Sequence, residues 1–122
     1  MATSAEALAF LRSKFKIASE DGSVLSMWWT VDDDRSQLVF VETRETLMVV
    51  SSPIAEVSDV SAAKVLEASD SVFGITITAD AYMLTHVVFL ENADANEIEE
   101  PLELLAAHAD TIQRKLGLAD KY

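Results

Sequence analysis

Three stretches of this chain, Leu38 to Val41, Leu47 to Val50 and Val87 to Leu90, are apolar at consecutive positions, and Trp28-Trp29 puts two indoles side by side. Successive side chains of a β-strand point to opposite faces of the sheet. Runs of this kind therefore read as strands that are greasy on both sides. The fold must cover two apolar sheet faces or leave one of them bare. In the segment from Val24 to Val31, Leu25, Met27, Trp29 and Val31 form a uniformly apolar set, whereas Val24, Ser26, Trp28 and Thr30 form a mixed one. The first set is expected in the core, with Trp29, and the second on the other face, with Trp28.

The covering layer is scarce. Leu8, Leu11 and Phe15 recur at helical spacing behind Thr3 or Ser4 as caps, which predicts a first helix over Ser4 to Phe15. A short helix holding Ala62, Val65 and Leu66 follows a cap at Ser58 or Ser61 and ends near Ser69. Ile98, Leu102, Leu105, Ala109, Ile112 and Leu116 form one stripe along a long final helix, which Gly117-Leu118 terminates. Pro101 predicts a kink there, or a separate turn before the main helix begins near Glu100.

Between the helices lie strands. Lys16 to Glu20 and Val24 to Val31 flank Asp21-Gly22, a hairpin signal. Gln37 to Thr43 and Thr46 to Ser51 continue the meander past the acidic turn Asp32-Asp33-Asp34, and pairing is expected to lapse at Pro53, which has no amide to donate. A strand from Val72 to Ala79 then pairs with Tyr82 to Leu90 across Asp80-Ala81. The expected fold is one α+β domain over residues 1–122: an antiparallel sheet of five or six strands with an N-terminal helix, a short middle helix and a long C-terminal helix.

Charge and composition narrow the function. Nine basic against 21 acidic residues give a formal charge of −12, a field that repels phosphate backbones and anionic lipids, so neither nucleic acid nor membrane is expected as a partner. No apolar run reaches the roughly 20 residues needed to cross a bilayer, and no signal peptide is readable at Met1 to Glu6. Half of the residues are hydrophobic, which sets the chain apart from acidic disordered sequences. With no cysteine, disulfides, thiolate metal sites and thiol nucleophiles are all absent, which suits a cytoplasmic protein.

No residue stands out as catalytic, cofactor-binding or metal-ligating. His86 and His108 lack the spacing of a zinc site and read as boundary histidines. The three glycines are too scattered to cradle a phosphate, and none flanks a serine as a nucleophile elbow requires. Asp32 to Asp34 lack the alternation and turn glycine of a calcium loop. Glu97, Glu99, Glu100 and Glu103 suit the positive end of a helix dipole and serve structure. A non-enzymatic role without cofactor is expected.

The segment Val65-Leu66-Glu67-Ala68-Ser69-Asp70-Ser71 leading into Phe73 to Ala79, and Val87-Val88-Phe89-Leu90-Glu91-Asn92-Ala93-Asp94 leading into Glu97 to Asp110, resemble the YbjN-like family and its type III secretion chaperone-like fold. The likeness is one of hydrophobic rhythm over most of the chain and carries no functional residue. It implies an acidic, non-enzymatic homodimer that holds extended client segments against apolar patches. Together with the two-faced strands it leads to a protein-binding module in which Val24, Trp28, Thr30, Phe40 and Met48 make the partner or dimer contact. The alternatives are an acidic decoy that masks a basic surface through Asp32 to Asp34 and Glu97 to Glu103, and a small-ligand or enzymatic domain with no visible motif.

Overall fold

A computed structural model describes residues 3–32, 35–69, 73–91 and 94–117. Asp33 and Asp34 of the acidic turn, Asp70 to Val72, Asn92-Ala93 and Leu118 lie outside the described residues. The order of elements is α1 (Ser4–Lys14), β1 (Ile17–Asp21), β2 (Val24–Asp32), β3 (Arg35–Thr43), β4 (Leu47–Glu56), α2 (Ala62–Ala68), β5 (Gly74–Thr78), β6 (Ala81–Phe89) and α3 (Ala95–Lys115). This is the α+β architecture read from the sequence, with six strands among the described residues. The sheet is antiparallel throughout and runs β1-β2-β3-β4-β6-β5, so the hairpin that follows α2 folds back to place β6, not β5, beside β4.

Local signals explain the ends of these elements. Thr3 and Glu6 close a reciprocal capping box at the start of α1, Ser61 caps α2, and Asp94 caps α3 through the amide of Glu97 at 2.9 Å. Gly22 turns the β1–β2 hairpin at a φ of 62°. The β5–β6 turn is one residue earlier than its sequence suggests: Ala79 and Asp80 occupy it, both at positive φ, because Thr78 already pairs with Ala81.

Of the two expectations about proline, the separate turn before α3 is corrected and the lapse of pairing at Pro53 holds on one side of β4. Helix α3 is a single element from Ala95 to Lys115 with Pro101 inside it, not a turn followed by a helix. Its stripe of Ile98, Leu102, Leu105, Ala109 and Ile112 is buried along the sheet, and that packing outweighs one lost backbone bond. At Pro53, strand β4 leaves only one neighbour. Its pairing with β3 ends at Ser51, opposite Phe40, while its pairing with β6 continues to Glu56 with a register shift between Pro53 and Ala55.

Buried side chains take over where the β3–β4 ladder stops. Ser52 Oγ donates to the Leu38 carbonyl at 2.6 Å, and Gln37 Nε2 donates to Ser52 Oγ and to the Pro53 carbonyl, both at 2.8 Å. Gln113 Nε2, arriving from α3, also donates to Pro53 at 3.3 Å. Nearby, the Asp110 carboxylate is held between Arg35 at 2.6 Å and Arg114 at 2.9 Å. These contacts pin α3 to β3 and β4.

All three helices bury their apolar sides in one cluster with Leu25, Met27, Val39, Val41, Val50 and Leu84. Trp29 joins its edge, its ring 4.6 Å from that of Phe15. These strand residues share one face by register. The helix layer is therefore one-sided, and the other face of the sheet has no described helix on it.

Candidate functional site

Register fixes the composition of the bare face. Trp28 lies opposite Leu38, Ser26 opposite Phe40, Phe40 opposite Ser51, Ser51 opposite Thr85, and Thr85 opposite Gly74. A second row runs from Val24 through Glu42 and Val49 to Val87, and a third from Pro53 through Met83 to Thr76. Directly paired residues project to the same side, so these three rows are one continuous surface. It is largely apolar in its middle and hydroxyl-bearing towards β5, and it carries Glu42 within the second row, paired with Arg44 at 3.6 Å.

The surface is concave. A trough of about 650 Å³ runs across β3, β4, β6 and β5, with Leu38, Phe40, Val49, Pro53 and Met83 as its apolar lining. The splitting of β3 from β4 beyond Ser51 occurs between Leu38 and Pro53, both of which line the trough. Met83 is nearly buried yet stands outside the helix-side core, as its position on the opposite face requires. The hydroxyls of Thr76 and Thr85, 2.9 Å apart, satisfy one another and do not converge on a common point.

Exposed apolar area extends beyond the trough. Trp28 is 48% exposed and Phe89 70% exposed, and Val87 is also open to solvent. None of the three belongs to the trough lining. Solvent-facing aromatic and aliphatic groups that adjoin an apolar hollow mark an interaction surface more often than a resting one.

Four of the five candidate contact residues are brought together here: Val24, Trp28, Thr30 and Phe40 all project from the bare face, with Val24 and Phe40 half-buried and Thr30 exposed. Met48 is the correction. It is fully buried among the helices, because its pairing with Thr43 and Val88 places it on the covered face; its neighbour Val49 faces the trough instead. An apolar run such as Leu47 to Val50 has no internal alternation, so register alone decides which of its members face out. Pro53, Met83, Val87 and Phe89 join the surface for the same reason and could have been found only by aligning β4 with β6.

The two histidines approach the same ring. His86 stands 5.1 Å and His108 5.3 Å from Phe73, each edge-on to it, which is a packing arrangement. No group of three metal-ligating side chains occurs among the described residues. No described helix is long and apolar enough to cross a membrane. Glu99 of the acidic helix start bonds Lys14 of α1 at 2.5 Å, a structural pairing on the helix side of the molecule. No family model, curated protein or solved structure matches the chain at a significant level.

Proposed function

We propose that this chain is a non-enzymatic protein-binding module that receives an apolar segment of another protein on the bare face of its sheet. The observation that carries the reading is the one-sided helix layer: it leaves Trp28, Phe89 and the trough between them uncovered. Burying a half-exposed tryptophan and a largely exposed phenylalanine contributes on the order of 1–3 kcal/mol each to association. With a formal net charge of −12 on the chain that carries this apolar patch, the favoured segment is apolar at its centre and basic at its flanks. The hydrophobic rhythm that resembles the YbjN-like family, with its client-holding chaperone-like fold, is in keeping with this reading.

The apolar contact distinguishes this role from an acidic decoy. A decoy acting through Glu97 to Glu103 would release its partner as salt rises, whereas apolar docking persists. A panel of synthetic peptides, apolar with basic flanks, titrated into the protein tests both. Binding should shift tryptophan emission to the blue, survive high salt, and weaken by about 2 kcal/mol in Trp28→Ala. Binding that vanishes in salt and ignores Trp28 would support the decoy instead.

A second reading keeps the trough and changes its occupant. Its volume of about 650 Å³ lies within the usual range for small-molecule sites, roughly 300–1,000 Å³, which favours an apolar small ligand. Exposure of Trp28, Val87 and Phe89 outside the trough favours the larger partner. Native mass spectrometry of the purified protein separates the two: an added mass of a few hundred daltons retained in the wild type and lost on lining Val49 with charge, as in Val49→Lys, would establish the small ligand.

A further inference from the structure

The two edges of the sheet are unlike each other. Edge strand β1 carries Glu20 and Asp21, Glu20 pairs with Arg12 of α1, and a register shift between Ile17 and Ser19 breaks its ladder. Charges and bulges of this kind are how proteins keep an edge from pairing with another chain. Edge strand β5, Gly74-Ile75-Thr76-Ile77-Thr78, has none of them: it holds no charge, no proline and no bulge in its pairing with β6. Thr76 and Thr78 are exposed, and Ile77 is 61% exposed.

We propose that β5 pairs antiparallel with β5 of a second copy of this chain, about a two-fold axis through Thr76. An isologous contact requires a patch that complements itself, and the sequence of β5 does so around its centre. Thr76 meets Thr76 of the second copy, Ile75 meets Ile77 in both directions, and Gly74 meets Thr78. The β-branched pairs lie on the helix side and the threonine pair on the bare side, since Ile75 and Ile77 share the face of Leu84 and Tyr82, and Thr76 that of Met83. Both kinds of cross-strand pair are favourable.

Charge selects the same place. Two copies at −12 each repel, so their contact must keep carboxylates apart. Asp80, the nearest described acid to Thr76 along the chain, lies four residues from the axis. The five residues that pair, Gly74 to Thr78, carry no charge, so no carboxylates face one another within the paired strands. The pairing gives the self-association expected from the sequence a definite location and leaves both bare faces free. Thr76 and Thr78 line the trough at its β5 end, so the two troughs meet at the axis as one longer surface across a twelve-stranded sheet. The pairing itself does not depend on what the trough binds.

Because the chain has no cysteine, a single introduced thiol reports without interference. Thr76→Cys places two thiols opposite one another on the axis, with Cα atoms about 4.5–5.5 Å apart, within disulfide range. Mild oxidation should give a covalent dimer on a non-reducing gel, while Trp28→Cys, on the bare face, should remain single. Sedimentation of the unmodified chain should show a concentration-dependent dimer whose dissociation constant rises roughly tenfold or more in Ile77→Lys, with the circular dichroism melt unchanged. A chain that sediments as a monomer up to its solubility limit overturns the proposal, as does a crosslink formed at position 28 and not at 76. Peptide binding by a monomeric Ile77→Lys variant would sustain the trough reading whichever way the dimer result falls.

Discussion

Met48 and Val49 are neighbours in β4, as Trp28 and Trp29 are in β2, yet each pair divides between two surfaces of opposite physical character. The covered face is close-packed: Met27, Val39, Val41, Met48, Val50 and Leu84 expose nothing, and the strand ladders end in buried polar contacts that hold α3 in place. On the bare face Val24, Leu38, Phe40 and Val49 are half-buried and Trp28, Val87 and Phe89 open, while Pro53 and Met83 are enclosed by their neighbours. Within the unbroken apolar runs hydropathy does not distinguish the two, and the difference in cover comes from the described helices, which pack on one side. The three described helices, one of them only seven residues long, cover one side of the six described strands.

Truncating adjacent residues on opposite faces should separate the two surfaces most strongly. Met48→Ala removes a fully enclosed side chain and should lower unfolding free energy by about 2–5 kcal/mol. Val49→Ala, one residue on and half-open to the trough, should cost under about 1 kcal/mol. Urea unfolding of the two variants measures the gap directly; equal losses would mean that the second face is covered after all.

A somewhat smaller effect is expected at the polar anchor of the covered face. Asp110 is nearly enclosed between Arg35 Nε and Arg114, and Arg35 Nη2 is buried without an acceptor. Removing the carboxylate in Asp110→Ala leaves the Arg35 charge uncompensated. Because Arg35 keeps partial access to solvent, the loss should be about 2–3 kcal/mol, below the full cost of an orphaned buried ion. Chemical unfolding of Asp110→Ala beside the double variant Arg35→Met/Asp110→Ala checks the cause: the double variant should recover part of the loss.

How far the sequence could be read follows the same division. Elements were legible where the cue was local: the Asp21-Gly22 hairpin, the caps at Thr3 and Ser61, the stripe of α3 and the parity of Trp28 and Trp29. What was not legible depends on contacts between distant segments. Pro53 signalled an interruption, but whether β3 or β6 would leave it is decided by Gln37 and Gln113, 16 and 60 residues away. Met48 reads as a contact residue and is buried instead, because an unbroken apolar run gives no parity of its own. Pro101 reads as a helix breaker until the buried stripe on both sides of it is weighed against one missing hydrogen bond.

A further variant bears on the seam where β3 and β4 part. Gln37 donates to both Ser52 Oγ and the Pro53 carbonyl, and its own Oε1 is buried without an acceptor's usual partner. In Gln37→Leu two hydrogen bonds disappear along with one unsatisfied oxygen. The Pro53 carbonyl keeps Gln113 as a donor. The net loss should be about 1–2 kcal/mol in chemical unfolding, less than two isolated hydrogen bonds would suggest.

The smallest effect on stability is also the one that bears most on function. Phe89 is paired with Leu47 on the bare face and is 70% exposed, so Phe89→Ser removes little that the folded chain has enclosed. Its unfolding free energy should stay within about 0.5 kcal/mol of the wild type. Binding of an apolar peptide, followed by calorimetry, should weaken nevertheless, because an aromatic group that contributes nothing to folding remains free to contribute to association. The heat capacity change of binding, negative when apolar surface is buried, should shrink in the same variant. Folding and binding would then be separable along a single sheet, the first reading only its covered side and the second only its bare one; a Phe89→Ser variant that lost stability but bound peptide unchanged would reverse that assignment.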